Sequence, residues 1–232
     1  MARKGSSLAG SFVVSGLSKS NDMSETKFPA KFPWGAMSIP KNDTNGLALK
    51  ATMLGQLVSD CAERAVASIL EVAKIETTTY SLKGLIKEDA IIAPKIFLEY
   101  ALLYLHLIDR VAATYLDSLP RNLFQEGVLS SAIEDSRKVY KEKFKRAEEY
   151  QGLTYSNFKD KFSDLYNDRQ MEYSAYLEIV ATGVDMAGSL LWNFGKRIGD
   201  ILGHSDIIII TGTTDVAVKG IVFLDVKGLI EA

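Results

Sequence analysis

The stretch IFLEYALLYLHLIDRVAATYLDSLP, residues 96–120, decides how the rest of this 232-residue chain is read. Leu98, Leu102, Leu105, Leu107, Ile108, Val111 and Ala112 would point to nearly every side of a helix drawn through it. At about 100° per residue, Glu99, His106, Arg110 and Asp117 fall within about 20° of one line along the remaining gap. Asp109 lies about 80° off that line, close enough to reach its flank. A helix apolar on almost every side is wrapped by other helices. This segment is therefore expected at the centre of a bundle, opened by Pro94 and closed by Pro120.

Outward from it, the helical period recurs in both directions. Leu47, Ala51, Leu54, Val58, Cys61, Ala65 and Val72 trace one face of a long helix over 45–75, with Asp43 or Thr44 as its cap. The run ETTTYSLKGLIKEDAIIA, rich in β-branched residues, is expected to break it. Downstream, Phe124, Val128, Ala132, Val139, Tyr140 and Phe144 place a helix over 120–149. Its cation-rich stretch RKVYKEKFKR, 137–146, spreads charge around the wheel and forms no stripe, so it reads as a solvated face. A long apolar stripe from Phe158 to Ile201 predicts helix over 156–202, in one piece or broken near Asn167 or Gly183.

The last segment, 207–230, carries two periods at once. Its even positions from Val216 to Ile230 alternate with charges at odd ones, which is the pattern of a strand. Val218, Ile221, Val222 and Leu229 also share a helical face, with Asp215 four residues before Lys219. An isolated hairpin is marginal in water, so a helix packed on the bundle is the expectation and a small C-terminal β hairpin the alternative. The expected fold is thus mainly α, a bundle of four to five helices over 46–232 preceded by an extended arm over 1–45. In the arm, KFPAKFPW brings Phe28, Phe32 and Trp34 together, and packing these rings on the chain's own body is favoured over leaving them in water.

A second unusual place is LYNDRQMEYSAY, 165–176, where Arg169 occupies the core-facing register among Tyr166, Tyr173 and Tyr176, with Asp168 and Glu172 on its flank. A buried guanidinium requires a carboxylate or an anionic ligand, and Glu99 and Asp109 are the candidates. The polar cluster expected between these helices is Glu99, His106, Asp109, Arg110, Tyr166, Asp168, Arg169, Glu172 and Tyr173. It reads either as an ion-pair lock or as the floor of a site for an anionic small molecule. A different reading makes His106 a general base oriented by Glu99 or Asp109.

Other classes are disfavoured. Lys+Arg 27 against Asp+Glu 29 gives no field for nucleic acid. No GxSxG, Walker loop, HExxH or GxGxxG is present, and two histidines without a Glu-x-x-His pair implicate neither metal nor cofactor. His204, beside Gly203 at a helix end, needs only a structural role. The N-terminus, whose longest apolar run is FVV, reads as a tail and not a signal peptide, and no uncharged run is long enough for a membrane span. A lone Cys61 on an apolar face fits an inert thiol in a reducing, cytoplasmic compartment. Glycine inside a helix costs about 1 kcal/mol against alanine, so Gly188, Gly195 and Gly199 point either to close approach of another helix or to fraying towards a helix end at Gly203. An approaching helix belongs either to this chain or to a second copy, in which case these glycines form a homo-oligomer contact. The sequence thus describes a helical module that binds a protein or an anionic small molecule.

Overall fold

A computed structural model describes Phe32, Trp34 and residues 44–78, 85–144, 153–154, 156–180 and 186–231. Most of the arm, the Asp43 cap and the break near Gly183 lie outside the described residues. The elements are α1 (Thr44–Thr78), α2 (Leu85–Tyr115), α3 (Ser118–Lys143), α4 (Phe158–Ser174), α5 (Leu190–Leu202), α6 (Ile207–Leu224) and α7 (Val226–Glu231). No strand occurs among the described residues. The chain is a helical bundle, and its C-terminal segment is helical despite its alternating charges. Asp215 and Lys219 pair at 2.8 Å one turn apart, while Val216, Ala217, Gly220, Phe223 and Leu224 face inward. The charge pattern that suggests a strand is here the solvent side of a helix.

α2 runs through the middle, as its all-round apolarity requires. Ile96, Phe97, Tyr100 through Leu105, Leu107, Ile108 and Ala112 are all buried, and α1, α3, α4, α5, α6 and α7 pack around it. Its beginning differs from expectation. The helix starts at Leu85 and continues through Pro94. Proline deprives the helix of one amide donor, but burial of Ile92, Ile96 and Phe97 around it offsets that local cost. The Pro94 carbonyl is used in turn, accepting from the Tyr140 hydroxyl of α3 at 2.9 Å.

The long 156–202 pattern is also corrected. α4 passes Asn167 unbroken and stops at Ser174, and the next α-helix among the described residues begins at Leu190, after a 3₁₀ turn at Met186–Gly188. The carbonyls of Glu178 and Ile179 accept from the Leu190 and Leu191 amides, so the stretch that follows α4 caps the start of α5. Backbone groups that a continuous helix would have bonded locally are satisfied across the gap instead. Apolar periodicity through Tyr176 and Val180 could not distinguish these outcomes.

Close approaches are made at glycines. Gly55 lets α1 meet the α3 backbone at Val128, where an added Cβ would overlap the carbonyl. Gly195 is buried against α6, where a Cβ would lie 2.9 Å from the Ile210 carbonyl. Gly199 lies under the His204–Ser205 turn, and Gly188 faces open space. The helix approach anticipated for these glycines is made within this chain at Gly195; Gly199 meets a turn instead, and Gly188 has no neighbour among the described residues. Between α5 and α6, Gly203 turns in the left-handed region at φ 78°, and Asp206 caps α6 by accepting from the Ile208 and Ile209 amides.

Two residues of the arm are docked as expected. Trp34 is fully buried, and its indole N–H donates to the Leu224 carbonyl at 2.9 Å while the Phe32 amide donates to Phe223 at 2.9 Å. Both acceptors belong to the last turn of α6, which Asp225, in the left-handed region at φ 42°, ends. The arm thus satisfies carbonyls that a helix terminus leaves without partners. Replacing Trp34 by Ala should lower unfolding free energy by about 3–5 kcal/mol in urea titration, from the vacated volume and the lost bond.

Candidate functional site

The centre of the polar cluster is Glu99, buried on α2 with 9% of its surface exposed. A carboxylate so placed must be compensated. Arg169 of α4 reaches it with both arms of its guanidinium, Nε to Oε2 at 2.9 Å and Nη2 to Oε1 at 2.6 Å. This is the two-pronged geometry that suits arginine and carboxylate best. The Tyr173 hydroxyl adds a bond to Oε2 at 3.3 Å, and Arg197 of α5 approaches the same oxygen at 3.8 Å. Arg197 also bonds Glu172, which Arg169 meets at 3.5 Å. Two carboxylates and two guanidiniums on three helices thus form a closed, neutral set. Its bonds with Glu99 hold the Arg169 guanidinium protonated well above its ordinary range, and burial raises the Tyr173 hydroxyl.

The remaining residues form separate attachments. Asp109 is taken by Arg121 of α3 through both oxygens, at 2.8 and 2.6 Å, and does not meet Arg169. Arg110 donates to the carbonyls of Tyr176 and Leu177 at 2.7 and 2.9 Å, tying down the stretch after α4. Tyr166 accepts from Gln125 at 3.0 Å, while Asp168 is exposed on α4. Asp117 has left the polar line, because α2 ends at Tyr115 and Asp117 is the N-cap position of α3.

His106 is buried at 2% exposure, with Nδ1 2.7 Å from Gln170 Oε1 and its ring edge-on to Tyr173 at 5.4 Å between centroids. Burial depresses its basicity; the Gln170 bond opposes that, and Arg110 adds to it. No carboxylate orients the ring: Asp109 is bonded by Arg121 and Glu99 by Arg169. Cys61 is fully buried and its thiol is raised above the ordinary range by burial, which makes it a poor nucleophile. Among the described residues, no group of His, Cys, Asp and Glu has the arrangement of a metal site.

Beside the closed set lies an open groove of about 550 Å³ between α2, α4 and α5. Glu99, Glu172 and Arg197 form one wall, and Lys95, Asn193, Lys196 and Asp200 form the rim. Reading the sequence missed Arg197, Gln170, Gln125 and Arg121. Arg197 had a faint signal, since it follows Phe194 by three and precedes Ile201 by four on the edge of an apolar stripe. The two glutamines had none, because nothing in sequence marks a neutral amide as buried.

By length and composition, Ile207–Glu231 is apolar enough to cross a membrane, with mean hydropathy 1.8 in its best window and 44% of that window buried in the bundle. No family model, curated protein or solved structure matches the chain.

Glu99→Gln should cost about 3 kcal/mol in urea unfolding, because it leaves two guanidiniums short of a counter-charge. The Glu99→Gln/Arg169→Met double variant should lose less than the sum of its single substitutions, and a double-mutant cycle measures the difference.

Proposed function

We propose that this chain is a helical interaction module that receives an acidic segment of a partner protein in the groove between α2, α4 and α5. The observation that carries this reading is the uneven use of charge there. Arg169 and Arg197 are consumed by Glu99 and Glu172, whereas Lys95 and Lys196 stand exposed at the rim and in no ion pair among the described residues. The groove's lining holds three cations (Lys95, Lys196, Arg197) and three carboxylates (Glu99, Glu172, Asp200), but Glu99 is neutralised from behind by Arg169 and Glu172 by Arg197, which leaves Lys95 and Lys196 against Asp200. The groove's openness suits side chains presented from a neighbouring surface better than a small molecule that must be enclosed. Rim charges of this kind act mainly on encounter and specificity. A buried inert thiol and an imidazole held by an amide fit a protein that binds without chemistry of its own, and the lone reduced cysteine fits the cytoplasm.

A hexaglutamate peptide titrated into isotopically labelled protein tests this. Saturable shifts are expected at the amides of Asn193, Lys196 and Asp200, weakening as salt rises. The Lys95→Glu/Lys196→Glu variant should keep its stability within about 0.5 kcal/mol, since neither lysine is paired among the described residues, and should lose the response. An absent response in the native chain, or an equal one in the variant, overturns the proposal.

A further inference from the structure

We infer that the C-terminal half of α4 is a latch held on α2 by the neutral imidazole of His106, and that it lets go when that ring takes a second proton. The inference does not depend on what the groove binds. It starts from how little apolar surface α4 commits to the core. Of its residues only Phe158, Phe162 and Tyr173 are buried, and the two phenylalanines lie in its first half. From Tyr166 onward the helix is held by the buried Tyr173, the partly buried ring of Tyr166 and polar bonds to Glu99, His106 and Gln125. Polar attachments gain little net stability over water, so this half depends on every partner remaining in the right state.

His106 is the partner whose state changes most readily near neutral pH. Its Nδ1 hydrogen donates to Gln170 Oε1, which leaves Nε2 as the bare lone pair, buried and without a partner among the described residues. A proton added at Nε2 creates a charged donor in that buried position. The charged and titratable groups around it offer no ready relief. From α2 come Asp109 and Arg110; from α3, Arg121; from α4, Tyr166 and Tyr173. Asp109 is saturated by Arg121, Arg110 repels the new charge, and Glu99, two helical turns earlier on the same line, is held by Arg169. The cheapest response is for α4 to swing away and let water reach the ring.

The sign follows from the same geometry. Burial holds the docked imidazole below its ordinary 6.5, whereas the undocked ring titrates normally. The undocked form therefore binds protons first. Docking is fully favoured above pH 6.5 and is lost as pH falls through the docked value.

Amide hydrogen exchange, corrected for intrinsic rates, tests the latch at about pH 7.5 and about pH 5.5, a window in which histidine titrates and paired carboxylates do not. In the native chain, residues 166–174 should lose protection several-fold at the lower pH, up to about tenfold, the ceiling for one ring that titrates at its ordinary value when undocked. The core of α2 should keep its protection. His106→Gln cannot take the proton and should abolish the difference. If that variant fails to hold α4 at either pH, Gln170→Glu decides instead, since a carboxylate beside Nδ1 would accept the charged ring and preserve protection at about pH 5.5. Imidazole nitrogen shifts provide a second readout, with His204 as the only other histidine. A ring carrying its hydrogen on Nε2 at neutral pH overturns the inference, as do equal protection at both pH values and an unchanged response in His106→Gln.

Discussion

A carboxylate in the middle of a hydrophobic helix sets the terms for half of this molecule. Glu99 sits among Leu98, Tyr100 and Leu102, nine-tenths removed from water, and an ionised group so placed is tolerable only with opposite charge and hydrogen bonds in place. Two helices supply them. Arg169 brings α4 against α2, and Arg197 brings α5 to the same edge, with Glu172 balancing the second guanidinium. The set costs desolvation to assemble, so its contribution lies in register more than in net stability. It fixes which residues of α4 and α5 stand beside α2, and so places the groove.

The other face of α2 solves a similar problem without charge. Tyr100 and Tyr104 bury their hydroxyls against α6, where they donate to the carbonyls of Thr213 and Val216 at 3.2 and 3.4 Å. Gly220 makes room for the Tyr104 ring, since any Cβ there would overlap its hydroxyl. α6 is consequently pressed close enough for helix carbonyls to take a second donor. The docked arm completes this side by serving the carbonyls at the end of α6. Ion pairs and neutral hydrogen bonds thus divide the surroundings of one helix, and the charged side is the one with an open groove.

That division separates robust elements from responsive ones. α1, α3 and α6 meet α2 through large apolar contacts, as with Leu54, Ile69, Phe124 and Val216, all buried. α4 has a short apolar anchor at one end and polar bonds along the rest. Apolar burial is indifferent to pH, whereas an imidazole against an amide is not. Movement, where it occurs, belongs to α4 and the stretch that Arg110 ties behind it.

The amino-acid order by itself determined the helical class, the central place of 96–112, and the need of Arg169 for a carboxylate. Each is a matter of periodicity or of the cost of burying charge, which local pattern expresses. It also identified Glu99 as one of two candidate partners. Choosing Glu99 over Asp109, bringing in Arg197, and ending α4 at Ser174 were decided only by the tertiary structure. Asp109, on the flank of the same polar line, looked equally available, but α3 brings Arg121 to it from twelve residues away. Gln170 and Gln125 show the limit most clearly, for an amide reads as surface in any sequence. Packing alone turned these two inward, because buried polar atoms choose partners by proximity in space, which spacing along a chain does not encode.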